Sequence, residues 1–324
     1  MKQIAIVLAV WLASALPVGA QTTDAEFAPL LRAGKAAEAE ALARQRVEAN
    51  PKDEVALWML GRLTGHDATA RPALLQRAEA CVAERPQSAR CHNLIGSLLG
   101  IQAQSGGMGA AMKLVGRIKD GFIQGAALDP GHYALRRDLI QFYLQAPGIA
   151  GGSVRKAREQ AEDFGKRDAA RGALLSAEVQ VYEKDFAKAE SLLAGVKPGS
   201  DADLADALRA ARSNLGFALL QDDKPAAARK QFDAMLADLP TSANAHLGLG
   251  RALLAQQQPA AAVTALERGL QLDPKLRAHY RLGMAYEALG DRVKAVAAFR
   301  QFLSYQREGK AADEARQRIS ALGG

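Results

Sequence analysis

Residues 245–274 read AHLGLGRALLAQQQPAAAVTALERGLQLDP, and residues 278–303 read AHYRLGMAYEALGDRVKAVAAFRQFL. Both stretches carry a glycine, an alanine twelve positions later and a large side chain four positions after that, and the pattern occurs once more upstream. The three sets are Gly216, Ala228 and Phe232; Gly250, Ala262 and Leu266; and Gly283, Ala295 and Phe299. Steps of three and four residues return to one side of an α-helix, so each unit predicts two amphipathic helices.

The spacing of these glycines defines a repeat. They lie 34 and 33 residues apart, and Pro240 and Pro274 close two of the units at the same offset. In period and pattern the chain resembles the tetratricopeptide repeat family, whose unit is a helix–turn–helix of 34 residues. The resemblance implies an all-α, TPR-like α-solenoid in which neighbouring units bury each other's apolar faces. We expect a right-handed superhelix of about eight antiparallel helix pairs, with a C-terminal capping helix near residues 311–322.

The same register can be followed less regularly through the rest of the chain. We predict degenerate TPR-like repeats over residues 24–200, then C-terminal repeats and the capping helix over residues 201–322. Two stretches exceed the repeat length, residues 104–111 (QSGGMGAA) and residues 147–153 (PGIAGGS). Both should be inserted loops between the two helices of a pair. Because such joints lie on one edge of a solenoid, the loops should be neighbours.

The first twenty residues have the pattern of a secretory leader. Lys2 precedes an apolar run from Ile4 to Leu16, and small residues at Val18 and Ala20 stand where a signal peptidase reads its site. The run is too short to span a membrane as a helix. We expect cleavage after Ala20. Because Gln21 rather than Cys follows, no lipid anchor is expected, and the mature chain should be periplasmic or secreted with no membrane span.

Composition and motifs argue against several classes of function. The net charge is +7, with Lys+Arg 42 and Asp+Glu 35 interspersed and only 5% aromatic residues, which does not favour nucleic-acid binding. The sequence contains no H-E-x-x-H, G-x-S-x-G or C-x-x-C motif. We therefore predict no catalytic residues, no metal site, no cofactor and no enzyme activity.

Two cysteines, Cys81 and Cys91, lie at equal distances from Pro86. In an oxidising compartment they could form a disulfide across an antiparallel helix hairpin that turns at this proline. Two buried free thiols, or a metal site completed by His92, are the alternatives.

Stacked helix pairs form a groove lined by the first helix of each pair. In the C-terminal repeats the register places a mixed apolar and basic set there: Phe217, Asn244, Leu247, Arg251, Arg277, Tyr280 and Met284, with Leu220, Leu254 and Glu287 alongside. Such a surface suits a protein partner that offers a peptide or a helix, with an arginine meeting a carboxylate.

We therefore predict a protein-interaction scaffold or adaptor of the cell envelope, with an unidentified protein or peptide partner. One alternative is a binder of anionic envelope polymer, lipopolysaccharide or peptidoglycan, suggested by the net positive charge. A weaker alternative is an envelope enzyme with an unrecognised site.

Overall fold

A computed structural model of the chain describes residues 25–324, apart from the side chain of Met108. The predicted leader, residues 1–20, lies outside the described residues. Between residues 25 and 324 the chain forms seventeen α-helices and a short 3-10 helix at Gly148–Ala150, with no strand. The predicted all-α fold is confirmed.

Sixteen of the helices form eight consecutive pairs, as the repeat count predicts. The first helices of the pairs are α1 (Phe27–Arg32), α3 (Glu54–Thr64), α5 (Ala89–Ser105), α7 (Tyr133–Gln145), α9 (Ala169–Tyr182), α11 (Ala202–Gln221), α13 (Ala243–Ala255) and α15 (His279–Ala288). The second helices are α2 (Ala36–Ala49), α4 (Arg71–Glu84), α6 (Gly107–Leu128), α8 (Val154–Gly165), α10 (Phe186–Gly195), α12 (Pro225–Asp238), α14 (Pro259–Leu272) and α16 (Arg292–Tyr305). The last helix, α17 (Lys310–Ala321), is the expected C-terminal cap.

The helix starts follow from local capping chemistry. The side chains of Asp53 and Ser242 accept hydrogen bonds from the backbone N–H of Ala56 (3.0 Å) and Ala245 (3.3 Å), at the first turns of α3 and α13. Such side chains satisfy donors that the first turn leaves without intrahelical partners. Prolines stand at the start of α12 and α14, where the missing N–H costs nothing.

The chain divides into two compact units, the first ending at Ala210 and the second covering Ala211–Gly324. The predicted boundary at residues 200 and 201 falls just before α11, a helix that continues through the division. Unit 1 has an apolar core that includes Leu57, Trp58, Leu98 and Leu135. Unit 2 has its own core, built largely from alanines with the large side chains of α14 and α16.

Inside unit 2 each repeat glycine faces the large residue sixteen positions later. A Cβ atom on Gly216 would lie 2.6 Å from the Phe232 ring, and one on Gly283 would lie 2.7 Å from the Phe299 ring. At Gly250 the neighbour is Leu266, 2.5 Å away. No other residue fits at these crossings without displacing the side chain that fills the core.

The structure corrects the prediction of an inserted loop at residues 104–111. There α5 and α6 are extended to 17 and 22 residues, and the chain reverses at Gly106 and Gly107 alone. Gly107 has a φ of 74°, which a residue with a side chain rarely adopts. Ala110 and Ala111 of the segment favour helix, and Ala103, just before the segment, packs in the core of unit 1. The surplus residues therefore lengthen a helix hairpin.

The second inserted stretch, residues 147–153, is a loop, with the 3-10 helix inside it. It joins α7 to α8, and it contacts α6.

Cys81 of α4 and Cys91 of α5 are joined by a disulfide, with their Cα atoms 6.1 Å apart. The two helices form the antiparallel hairpin at Pro86 that the symmetric spacing requires. Arg85 Nη2 lies 3.2 Å from the Cys81 sulfur. The disulfide thus fixes the joint between the second and third helix pairs.

A buried polar network, which the repeat pattern does not predict, connects the first helices of unit 1. Trp58 Nε1 donates to Asn93 Oδ1 (2.9 Å), and Asn93 Nδ2 donates to Asp138 Oδ2 (3.1 Å), which also accepts from Arg62 (3.1 Å). Because buried polar groups are costly without partners, this network favours one arrangement of α3, α5 and α7. In the described part of the chain, no helix is both long and apolar enough to cross a membrane.

Candidate functional site

A groove of unit 2, about 500 Å³ in volume, is lined by residues of α11, α13, α15 and α17. Its wall combines aliphatic side chains with cations. The lining residues are Leu220, Arg251, Leu254, Ala255, Arg281, Met284, Glu287, Ala288 and Arg318. We call this set the unit 2 groove.

Arg251 is the central cation of the unit 2 groove. Its guanidinium lies 5.0 Å above the ring of Phe217, which packs in turn on Phe232 with ring centroids 5.1 Å apart. Burial, together with the nearby positive charge of Arg281, lowers the pKa of Arg251 to about 10. The side chain is still protonated at neutral pH. Within residues 25–324 no carboxylate forms an ion pair with it.

Arg281 is the second cation of the groove without an ion pair to a described carboxylate, although, after the hydrogen bond from Tyr280, its charge helps to lower the pKa of Glu314. Its Nη1 lies 3.5 Å from the sulfur of Met284, and its guanidinium lies 5.5 Å from the ring centroid of Tyr280. The only acidic residue of the lining, Glu287, is already paired with Arg318 of α17. The groove therefore keeps an excess of positive charge on Arg251 and Arg281.

Of the seven predicted groove residues, only Arg251 and Met284 line the unit 2 groove, and Phe217 supports Arg251. Leu247 packs against the core. Asn244 donates to Ser213 Oγ (2.9 Å) and Tyr280 donates to Glu314 Oε2 (2.6 Å), so both are used within the fold. Arg277 precedes α15 and lies 5.9 Å from the Tyr305 ring centroid. Leu220, Leu254 and Glu287 line the groove as the register predicts.

Sequence reasoning missed two of the three arginines in the groove, Arg281 and Arg318. Arg281 occupies the repeat position of Gly248, where the preceding unit has no side chain. Arg318 belongs to α17, which the sequence indicated as a polar cap and not as a wall of the groove. The signal in the sequence is a basic residue, Arg318, in the last turn of the capping helix, which could have indicated that this helix adds a cation to the groove.

Two family models described as tetratricopeptide repeat match residues 219–285 and residues 276–308. These matches show tetratricopeptide repeats over residues 219–308, and the paired helices of the remaining described residues are similar to that family. Repeats of this kind imply a protein–protein interaction scaffold, and proteins that carry them are generally non-catalytic.

Among solved structures, the chain is similar to yeast Tom70, with a TM-score of 0.61 and 12% identity over 94% of this chain and 61% of that one. The Cut9 and Hcn1 hetero-tetramer of the APC/C gives a TM-score of 0.49 and 15% identity over 96% of this chain and 58% of that one. This chain thus spans less than two thirds of both. For pilF of Pseudomonas aeruginosa the TM-score is 0.47 at 16% identity, covering 72% of this chain and 99% of that one. A comparison with curated proteins gives no match.

Proposed function

We propose that this chain is a non-enzymatic scaffold that acts outside the cytoplasm and binds an acidic segment of a partner protein in the unit 2 groove. The predicted secretory leader supports the location. The excess positive charge of the groove supports the acidic ligand.

The observation that carries this proposal is that Arg251 is partly buried and forms no ion pair with a described carboxylate. A half-buried cation without a carboxylate partner weakens the folded state, because it has lost part of its water and gained no opposite charge. A bound carboxylate would supply that charge through two parallel N–H to oxygen hydrogen bonds, which the planar guanidinium is built to make. Leu220, Leu254 and Met284 would take apolar side chains next to the acidic group.

A photo-crosslinking experiment in intact cells tests the proposal. A photoreactive residue at the exposed position Ala288, which lines the groove, should capture a specific protein. The same residue at Val293, which is 82% exposed on α16 and outside the groove lining, should not. The Ala288 product should disappear in an Arg251→Gln background. Identical products from both positions, or a product insensitive to Arg251, would count against the groove.

Binding of short peptides measures the preference for acid. A peptide of Leu and Glu residues should bind the purified chain, and its Gln counterpart should bind at least about tenfold more weakly, since each charged hydrogen bond is worth about 1.5–3 kcal/mol. Equal binding of both peptides would refute the acidic ligand.

A further inference from the structure

The loop that joins α7 to α8 is held in one conformation by its own backbone. Gly152 N–H donates to Pro147 O (3.1 Å), and Ser153 N–H donates to Tyr143 O (2.7 Å). A Cβ atom on Gly152 would lie 1.7 Å from Ala146 O, so the turn requires glycine. Ala150, within the loop, is buried. The loop therefore has a defined backbone conformation, which sets the direction of its side chains.

That loop holds Ile149 in solvent, with 82% of its surface exposed. It rests against α6, where a Cβ atom on Gly151 would lie 3.3 Å from the Lys119 side chain. Two turns before Lys119 on the same helix, Met112 is also exposed, at 41%. The extended α6 and the loop thus present two apolar side chains on one edge of unit 1.

Positive charge predominates on this edge. Residues 102–119 and residues 145–158 together contain six Lys and Arg, and the carboxylates that directly follow the two segments are Asp120 and Glu159. Three of the six cations, Arg117, Arg155 and Arg158, pair with Glu79, Glu159 and Glu183. The other three cations, Lys113, Lys119 and Lys156, have no ion pair with a carboxylate of the described chain. We call these two segments the apolar–basic edge.

We propose that the apolar–basic edge docks unit 1 on the surface of an anionic phospholipid bilayer. Isolated apolar side chains surrounded by lysines can enter the headgroup region while the ammonium groups meet lipid phosphates. A protein partner fits less well, because protein interfaces are depleted in Lys and enriched in aromatic residues, and neither segment contains Phe, Tyr or Trp.

Sedimentation with lipid vesicles tests this proposal on the full mature chain. The chain should bind vesicles that contain phosphatidylglycerol, should not bind vesicles of phosphatidylcholine alone, and should be released as the salt concentration rises. Ile149→Ser should weaken vesicle binding by about tenfold, the effect of keeping one large aliphatic side chain in water. Lys113→Glu combined with Lys156→Glu should weaken it further.

Matched substitutions elsewhere separate docking from general effects. Val293→Ser replaces an aliphatic residue with the same 82% exposure on α16, and Lys275→Glu reverses an exposed lysine of unit 2. Both should leave vesicle binding unchanged, as should Arg251→Gln, so that failure here is distinct from failure of the unit 2 groove. Equal binding to both kinds of vesicle, or equal effects of Ile149→Ser and Val293→Ser, would overturn the proposal. Capture by immobilised polyglutamate without vesicle binding would overturn it in favour of an acidic protein partner.

Discussion

Arg251, the residue that we propose binds a carboxylate, reduces the stability of its own fold. Its pKa of about 10 in the folded chain lies below 12.5, because burial disfavours the charged form. The unfolded chain therefore holds the proton more tightly, and at neutral pH the charged side chain weakens the fold. We predict that Arg251→Met, which keeps the apolar stem, raises the free energy of unfolding by about 1–2 kcal/mol and weakens acidic peptide binding.

Denaturant titrations and peptide titrations at pH 7 measure the two effects. Arg292→Met, at the exposed start of α16, should change stability by less than about 0.5 kcal/mol. A destabilised Arg251→Met chain would show that the guanidinium is structural, held by its contact with Phe217.

His132 couples the stability of unit 1 to pH in the acid range. Burial is the main cause that lowers its pKa from 6.5 to about 4, the positive charge of Arg90 adds to the effect, and its ring packs edge-on against Trp58 at 5.6 Å. The unfolded chain binds this proton below pH 6.5, whereas the folded chain resists it until about pH 4. The neutral His132 ring therefore contributes its full stabilisation of the folded state above pH 6.5, and this contribution is lost as the pH falls towards 4.

Protonation of His132 should lower the free energy of unfolding by about 2–3 kcal/mol between pH 7.5 and pH 4.5. His132→Gln should reduce the pH dependence by that amount, which denaturant unfolding at the two pH values measures. His66→Gln gives a matched control, since it removes an exposed imidazole and leaves the packing around His132 intact. An unchanged dependence in the His132 variant would mean that other groups set it.

At the scale of the element, two glycines of α6 should respond to alanine with opposite signs. A Cβ atom on Gly121 would lie 2.7 Å from His92 O and 2.8 Å from Gly96 N, both backbone atoms of α5 that cannot move alone. Gly116 is exposed and has no neighbour within 4 Å. We predict that Gly121→Ala lowers the free energy of unfolding by about 2–3 kcal/mol and so lowers the thermal midpoint. Gly116→Ala should raise the free energy of unfolding by about 0.5–1 kcal/mol and so raise the midpoint. Two changes of the same sign would contradict the close crossing of α5 and α6.

The elements also show where sequence reasoning succeeds. The pattern at residues 147–153 combines Pro147 with glycines next to a helix-capping Ser153, and the loop forms as predicted. The pattern at residues 104–111 contains glycines too, but the helix hairpin replaces the expected loop. Local composition could not decide between them, because the outcome depends on whether the extended helices have a partner to pack against. Here α5 and α6 pack on each other.

At the scale of the whole chain, the repeat period is enough to predict the helix pairs and the capping helix. It predicts only part of the groove lining, such as Leu220 and Leu254, and misses Arg281 and Arg318. Tyr280 was expected in the groove, yet its hydroxyl binds Glu314 of α17, and Arg318 of the same helix reaches Glu287. Those contacts depend on the packing angle of the capping helix, which no periodicity encodes. The polar network of Trp58, Asn93 and Asp138 is likewise a matter of tertiary packing.

Repeat packing limits how far a local perturbation travels within a unit, because a helix pair contacts mainly the pairs next to it in sequence. The disulfide between Cys81 and Cys91 closes a loop with a sequence separation of 10, and its removal should cost about 2–3 kcal/mol. We predict that Cys81→Ala with Cys91→Ala increases amide hydrogen exchange in α3, α4 and α5 but not in α13 to α16, since unit 2 has its own core. Mass-spectrometric exchange on the full chain measures both regions at once. Equal loss of protection in both would show that the two units unfold as one cooperative body, against the nearest-neighbour behaviour that the repeats imply.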